Sequence, residues 1–112
     1  MSNHKIDRIN ESVQREMADI MRGIKDPRVT GMLTVVRAEV SGDLSVAKIY
    51  ISSVEGEENT KSAVAALQKA SGYIRTQLAS RLGIRKTPEL KFIVDTSAEY
   101  SFELEKKLKD VL

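Results

Sequence analysis

Residues 59–83, NTKSAVAALQKASGYIRTQLASRLG, carry the pattern on which the fold turns. Val64, Leu67, Ala70, Ile74, Leu78 and Leu82 recur at steps of three or four. That spacing draws one apolar stripe along a helical surface, able to face a single sheet. Near its middle stands Ala70-Ser71-Gly72. A glycine inside a helix costs about 1 kcal/mol relative to alanine. Gly72 therefore marks either a kinked joint between two short helices or a close backbone approach. A single continuous helix with Gly72 kept for tight packing fits the spacing equally.

The flanks supply the partners for that stripe. On the N-terminal side, Ile6, Ile9, Val13, Met17, Ile20 and Ile24 predict a helix over 5–25, stopped by Lys25-Asp26-Pro27 because proline lacks an N–H and disfavours helix in the residue before it. Met17 and Met21 read as core filler. After a connection over 28–32, residues 33–40 (LTVVRAEV) and 44–54 (LSVAKIYISSV) are rich in valine and isoleucine and predict a hairpin closed by Ser41-Gly42-Asp43. Alternation puts Val36, Ala38 and Val40 on one face of the first strand, against Val35, Arg37 and Glu39. In the second it puts Ala47, Ile49 and Ile51 together, opposite Val46, Lys48, Tyr50 and Ser52. A third strand is expected over 89–95 with Leu90, Phe92 and Val94 inward, and a last helix over 98–112 carrying Leu104, Leu108 and Leu112. The expected class is α+β: a three-stranded sheet with helices packed on one face, in one domain over 1–112, which is enough chain for a modest core.

Bulk properties exclude several function classes. With no cysteine, a disulfide framework or thiolate metal site is ruled out, and the one histidine, His4, gives no zinc-site pattern. No segment approaches the roughly 20 apolar residues of a membrane span, and the start shows no signal-peptide pattern, so the expected address is cytoplasmic. The net charge of +2 is too small to indicate nucleic acid by itself. Glu55-Gly56-Glu57-Glu58 reads as acid placed at a helix N-terminus, not as a metal site. Neither a nucleophile–histidine pair nor a Gly-rich phosphate loop is present, so no enzyme, cofactor or small-molecule substrate is expected, although a small α+β scaffold can host one. No heptad or long apolar strip asks for a dimer, and a monomer is expected.

The order α-β-β-α-kink-α-β resembles the KH domain of type II topology. RNA-binding KH domains clamp phosphates with a Gly-x-x-Gly loop between their paired helices. Here the glycines stand at 23, 31, 42, 56, 72 and 83, no two of them three apart, so that clamp is missing. In its place Ala70-Ser71-Gly72-Tyr73-Ile74-Arg75 resembles the helix-kink-helix signature of the ribosome-binding factor A family. Arg8-Ile9, Lys25-Asp26-Pro27-Arg28, Val40-Ser41-Gly42-Asp43-Leu44, Ala47-Lys48-Ile49-Tyr50-Ile51-Ser52, Arg85, Pro88-Glu89-Leu90, and Phe92 with Asp95 extend the likeness along nearly the whole chain. The resemblance favours the kinked reading of Gly72. It implies a non-enzymatic factor that binds the small (30S) ribosomal subunit and assists late assembly and 16S rRNA processing, including 5′-end maturation, with a link to growth in the cold.

Without a backbone clamp, contact with rRNA falls to side chains. The expected set is Arg75, Arg81, Arg85 and Lys86 after the kink, Lys69 before it, and Arg8, Arg15 and Arg22 on the first helix. Arg28 and Lys48 join because they match the family pattern. Arginine can bond phosphate twice and stack on a base. About six phosphate contacts would cost roughly a thousandfold in affinity between 50 and 200 mM salt. Each arginine taken singly also fits a solvated or ion-paired surface. Two phenylalanines, three tyrosines and no tryptophan leave little for base stacking, so shape recognition of folded rRNA is favoured over reading a linear sequence. The alternative is a KH-like module that docks a protein on its open sheet face through Val35, Val46 and Tyr50, without direct RNA contact.

Overall fold

A computed structural model describes residues 4–29 and 32–96. Its elements run α1 (His4–Arg22), β1 (Leu33–Val40), β2 (Val46–Ser53), α2 (Glu57–Lys69), α3 (Ser71–Leu82) and β3 (Glu89–Val94). The sheet order is β1-β2-β3, with β1 and β2 antiparallel and β2 and β3 parallel. The parallel pair requires a crossover, which α2 and α3 supply. Met17 of α1, Ala47, Ile49 and Ile51 of β2, Leu67 of α2, and Ile74 and Leu78 of α3 are fully buried together. Thus the stripe across the α2–α3 joint does face the sheet. The helix expected over 98–112, with Leu104, Leu108 and Leu112, lies outside the described residues.

Several boundaries differ from the sequence expectation for local reasons. α1 ends at Arg22 and not at 25, because the chain tightens first at Gly23, whose N–H bonds Ile20 O at 3.0 Å. Pro27 belongs to a separate turn closed by Val29 N to Asp26 O at 2.9 Å. β2 begins at Val46 and not at 44, so the hairpin loop spans 41–45 instead of three residues. β3 ends one residue earlier than expected, at Val94. The left-handed residue of that hairpin loop is Leu44, φ 62°, not Gly42. That conformation costs a leucine roughly 1–2 kcal/mol.

In β1 the strict alternation fails. The pairing register shifts between Val35 and Arg37, a β-bulge at Val36. Val35 is thereby turned into the core with Ala38 and Val40, while Val36 is only half-buried. The Gln14 amide of α1 donates to the Val35 and Val36 carbonyls at 3.2 and 3.3 Å, satisfying the backbone that the bulge frees. Val35 is therefore unavailable to a partner on the open sheet face.

Both sheet edges are occupied by helix side chains. On β3, Gln68 donates to Leu90 O at 3.0 Å and accepts from Phe92 N at 3.1 Å, as a neighbouring strand would. On β1, Val40 N donates to the side-chain Oδ1 of Asn10 at 2.9 Å, alongside the Gln14 contacts. Exposed edges invite strand addition; here side-chain amides meet several of the groups a new strand would need.

The break between α2 and α3 is confined to Ala70, at φ −88° and ψ 8°. Ala70 N still bonds Ala66 O at 3.1 Å and Ile74 N bonds Ala70 O at 3.0 Å, so the chain bends with little loss of hydrogen bonding. Gly72 stands within the first turn of α3, and a Cβ added to it would meet nothing within 4 Å. No other part of the described fold approaches it closely. The kinked reading holds, but the bend sits two residues before the glycine. At the other end, Gly83 adopts φ 67° and Ile84 N closes on Ala79 O at 3.1 Å, a helix-ending motif that selects glycine.

Candidate nucleic-acid interface

The ten basic candidates separate by what already holds them. Arg28 forks onto Asp26, with Nε–Oδ1 at 3.1 Å and Nη2–Oδ2 at 3.0 Å. These bonds hold the Asp26 carboxyl below its ordinary value. Arg81 of α3 reaches both Glu16 and Asp19 of α1, at 3.3 Å for Glu16, clamping the two helices together. Its hydrogen bond is the main reason the Asp19 carboxyl is lowered. Arg75 donates from Nη2 to Thr87 O at 3.1 Å, while its buried Nε has no partner. It ties α3 to the residues that lead into β3. These three arginines serve the fold.

Arg15 and Arg22 lie on the exposed side of α1, beside Glu16 at 3.8 Å and Asp19 at 3.4 Å. Such exposed pairs contribute little and yield readily to a phosphate. Arg8, Lys48, Lys69, Arg85 and Lys86 are exposed and have no ion pair or hydrogen bond among the described residues. They do not form one patch. Lys69 closes α2 at the joint, whereas Arg85 and Lys86 follow the far end of α3, about 18 Å away at 1.5 Å per helical residue. Lys48 faces outward on β2, between Glu39 of β1 and Lys91 of β3.

Arg8 and Lys86 converge. They flank a groove of about 260 Å³ floored by Ile9, Leu44, Leu82, Ile84 and Pro88. The hairpin loop that brings Leu44 there is held by the Asp43 carboxylate. It accepts from Ser41 Oγ and Ser45 Oγ, each at 2.7 Å, and from Ser45 N at 3.1 Å. These bonds, that of Ser45 first, pull the Asp43 carboxyl down to about 2.

A sequence model of Ribosome-binding factor A matches residues 5–108. The chain belongs to the ribosome-binding factor A family. The family member from Agathobacter rectalis is 47% identical over 105 residues, which span 93% of this chain and 87% of that one. Among solved structures, a Thermotoga maritima protein described as a putative ribosome binding factor A superposes with a TM-score of 0.73 at 28% identity, covering 82% of this chain and 89% of that one. A Thermus thermophilus ribosome binding factor A, a homology model fitted into a cryo-EM map of a 30S complex, gives 0.65 at 30% identity, covering 78% and 91%. The α+β, KH-like order expected from the sequence is the fold found.

Two features of this ribosome-binding factor A chain escaped the sequence. Arg37 lies 3.8 Å above the Tyr50 ring on the open sheet face and pairs with Glu39 at 3.0 Å, so that face of Tyr50 is not free for a base. Lys91, the register partner of Lys48, adds a second outward cation, which strand alternation from Phe92 could have revealed. Tyr73, beside the joint, is 57% exposed. Among the described residues no helix is long and apolar enough to cross a membrane, and no group of three or more metal-ligating side chains forms.

Proposed function

We propose that this protein is a non-catalytic maturation factor of the small ribosomal subunit, a single domain over 1–112 that works in the cytoplasm as a monomer. It binds the 30S particle and its rRNA and assists late assembly and 16S processing, including the 5′ end, with importance for growth in the cold. The observation that carries this reading is family membership along nearly the whole chain, together with a relative that has been fitted into a 30S complex. The exposed Lys48, Lys69 and Arg85, which have no ion pair or hydrogen bond among the described residues, supply phosphate contacts, joined by Arg15 and Arg22 when their weak pairs open. Spread over several faces, they suit a folded rRNA neighbourhood that surrounds the protein better than a strand lying in one channel.

With five phosphate contacts, affinity should fall about five-hundredfold between 50 and 200 mM salt. Co-sedimentation of the purified protein with small subunits, large subunits and whole ribosomes across that salt range tests the reading. Saturable, salt-sensitive binding to small subunits alone is expected. A folded protein that binds none of them would reduce the family likeness to one of fold. The alternative of a protein-docking sheet face is weakened by the inward turn of Val35 and by the Arg37 stack over Tyr50.

A further inference from the structure

The groove between α1, the 41–45 hairpin loop and the chain after α3 is built unlike the rest of the surface. Leu44 and Ile84, two of the few exposed large apolar side chains, converge there at 46% and 39% exposure. Leu44 is presented by a backbone conformation that leucine disfavours, φ 62°, inside a loop tied by Asp43, Ser41 and Ser45. The loop thus holds a leucine in a disfavoured conformation with its side chain about half in water. Both charged lining residues, Arg8 and Lys86, are cations with no ion pair or hydrogen bond among the described residues.

We infer that this groove docks a peptide segment carrying one or two large apolar side chains flanked by carboxylates, from a protein of the small subunit. The apolar residue fills the space over Ile9, Leu82 and Pro88, and the carboxylates meet Arg8 and Lys86. A nucleobase suits the site less well. The lining has no aromatic ring to stack on, and Ser12 is its one uncharged polar side chain, so the donors and acceptors of a buried base would go unmet. Strand addition is also disfavoured, because Gln68, Asn10 and Gln14 occupy the sheet edges. The segment therefore docks through side chains into the groove. The inference rests on the subunit-binding function proposed above.

Leu44→Asn provides the decisive variant, because asparagine accepts a positive φ better than leucine while removing the apolar contact. Its thermal stability should equal or exceed that of the wild type, and its affinity for small subunits should fall about tenfold or more. Photocrosslinking from Ile84→p-benzoylphenylalanine, on protein bound to purified small subunits, should yield an adduct on a protein segment with aspartate or glutamate beside the labelled residue. Adducts on rRNA or on a basic peptide, no adduct from a bound protein, or undiminished binding by Leu44→Asn would each overturn the inference. Failure of the wild type to co-sediment would instead sink the subunit-binding function itself, and the groove's role with it.

Discussion

The two ends of α3 look alike in sequence, each a glycine beside basic residues, yet they are built on opposite principles. At the joint with α2 the bend falls on Ala70, and Gly72 is required neither by its backbone angles nor by any neighbour. At the far end Gly83 is fixed by a left-handed φ of 67°, and Arg75 fastens the following chain through Thr87. One end has open space around its glycine, and the other is held by its glycine and by an arginine. A residue type that recurs in a motif is thus no guide to whether the fold or the partner needs it.

The comparison breaks most visibly at the arginines. Arg75→Ala should destabilise the fold by about 1–3 kcal/mol, by leaving the Thr87 carbonyl without its donor, and should weaken subunit binding indirectly by freeing the loop. Arg85→Ala should leave stability within about 0.5 kcal/mol of the wild type and lower binding alone. Urea midpoints read beside co-sedimentation separate the two. Loss of binding from Arg75→Ala at full stability would return Arg75 to the direct contacts.

Glycine substitutions give a smaller effect of opposite sign at the two ends. Gly83→Ala should cost about 1 kcal/mol by forcing alanine into the left-handed region. Gly72→Ala should stabilise by about 0.5 kcal/mol, since it adds helix propensity into empty space. Thermal unfolding of both variants decides whether only one of these glycines is structural. A loss of stability in Gly72→Ala would mean that something does approach the joint.

The smallest effect concerns the loop that carries Leu44. The Asp43 carboxyl is lowered to about 2 in the folded protein, against roughly 3.9 when unfolded. A depressed acid contributes stability above its unfolded value and loses it as pH falls toward the folded one. Asp43→Asn should therefore flatten the pH dependence of stability between about 4 and 2, leaving the part due to Asp19 and Asp26, which are lowered as well. An unchanged profile would mean that the Ser41 and Ser45 hydroxyls do not stabilise the charged form.

Much of the fold was legible because its periodicities are long. The Ala47, Ile49, Ile51 face is buried whole, and the stripe from Val64 to Leu82 packs in or against the core along its length. The β1 face was not legible, because the bulge at Val36 is set by Gln14, an amide 21 residues before Val35. Leu44 escaped for a related reason. Gly42 was the obvious residue for a tight turn, and only the closure from Ser41 to Val46 shows the loop to be longer. The basic residues could be named from sequence but not sorted. The carboxylates that hold Arg81 lie 65 and 62 positions away. Arg85, four residues on, has no ion pair or hydrogen bond among the described residues.

The central claim is that the unpartnered cations, not those spent inside the fold, bind the small subunit. It is tested most directly by the salt slope of small-subunit binding for the wild type and for the Lys69→Glu, Arg85→Glu double variant. The variant should fold normally, bind more weakly and show a slope shallower by about 2, one for each phosphate that is no longer neutralised. Wild-type affinity with an unchanged slope would contradict the claim and move the binding surface to another face of the protein.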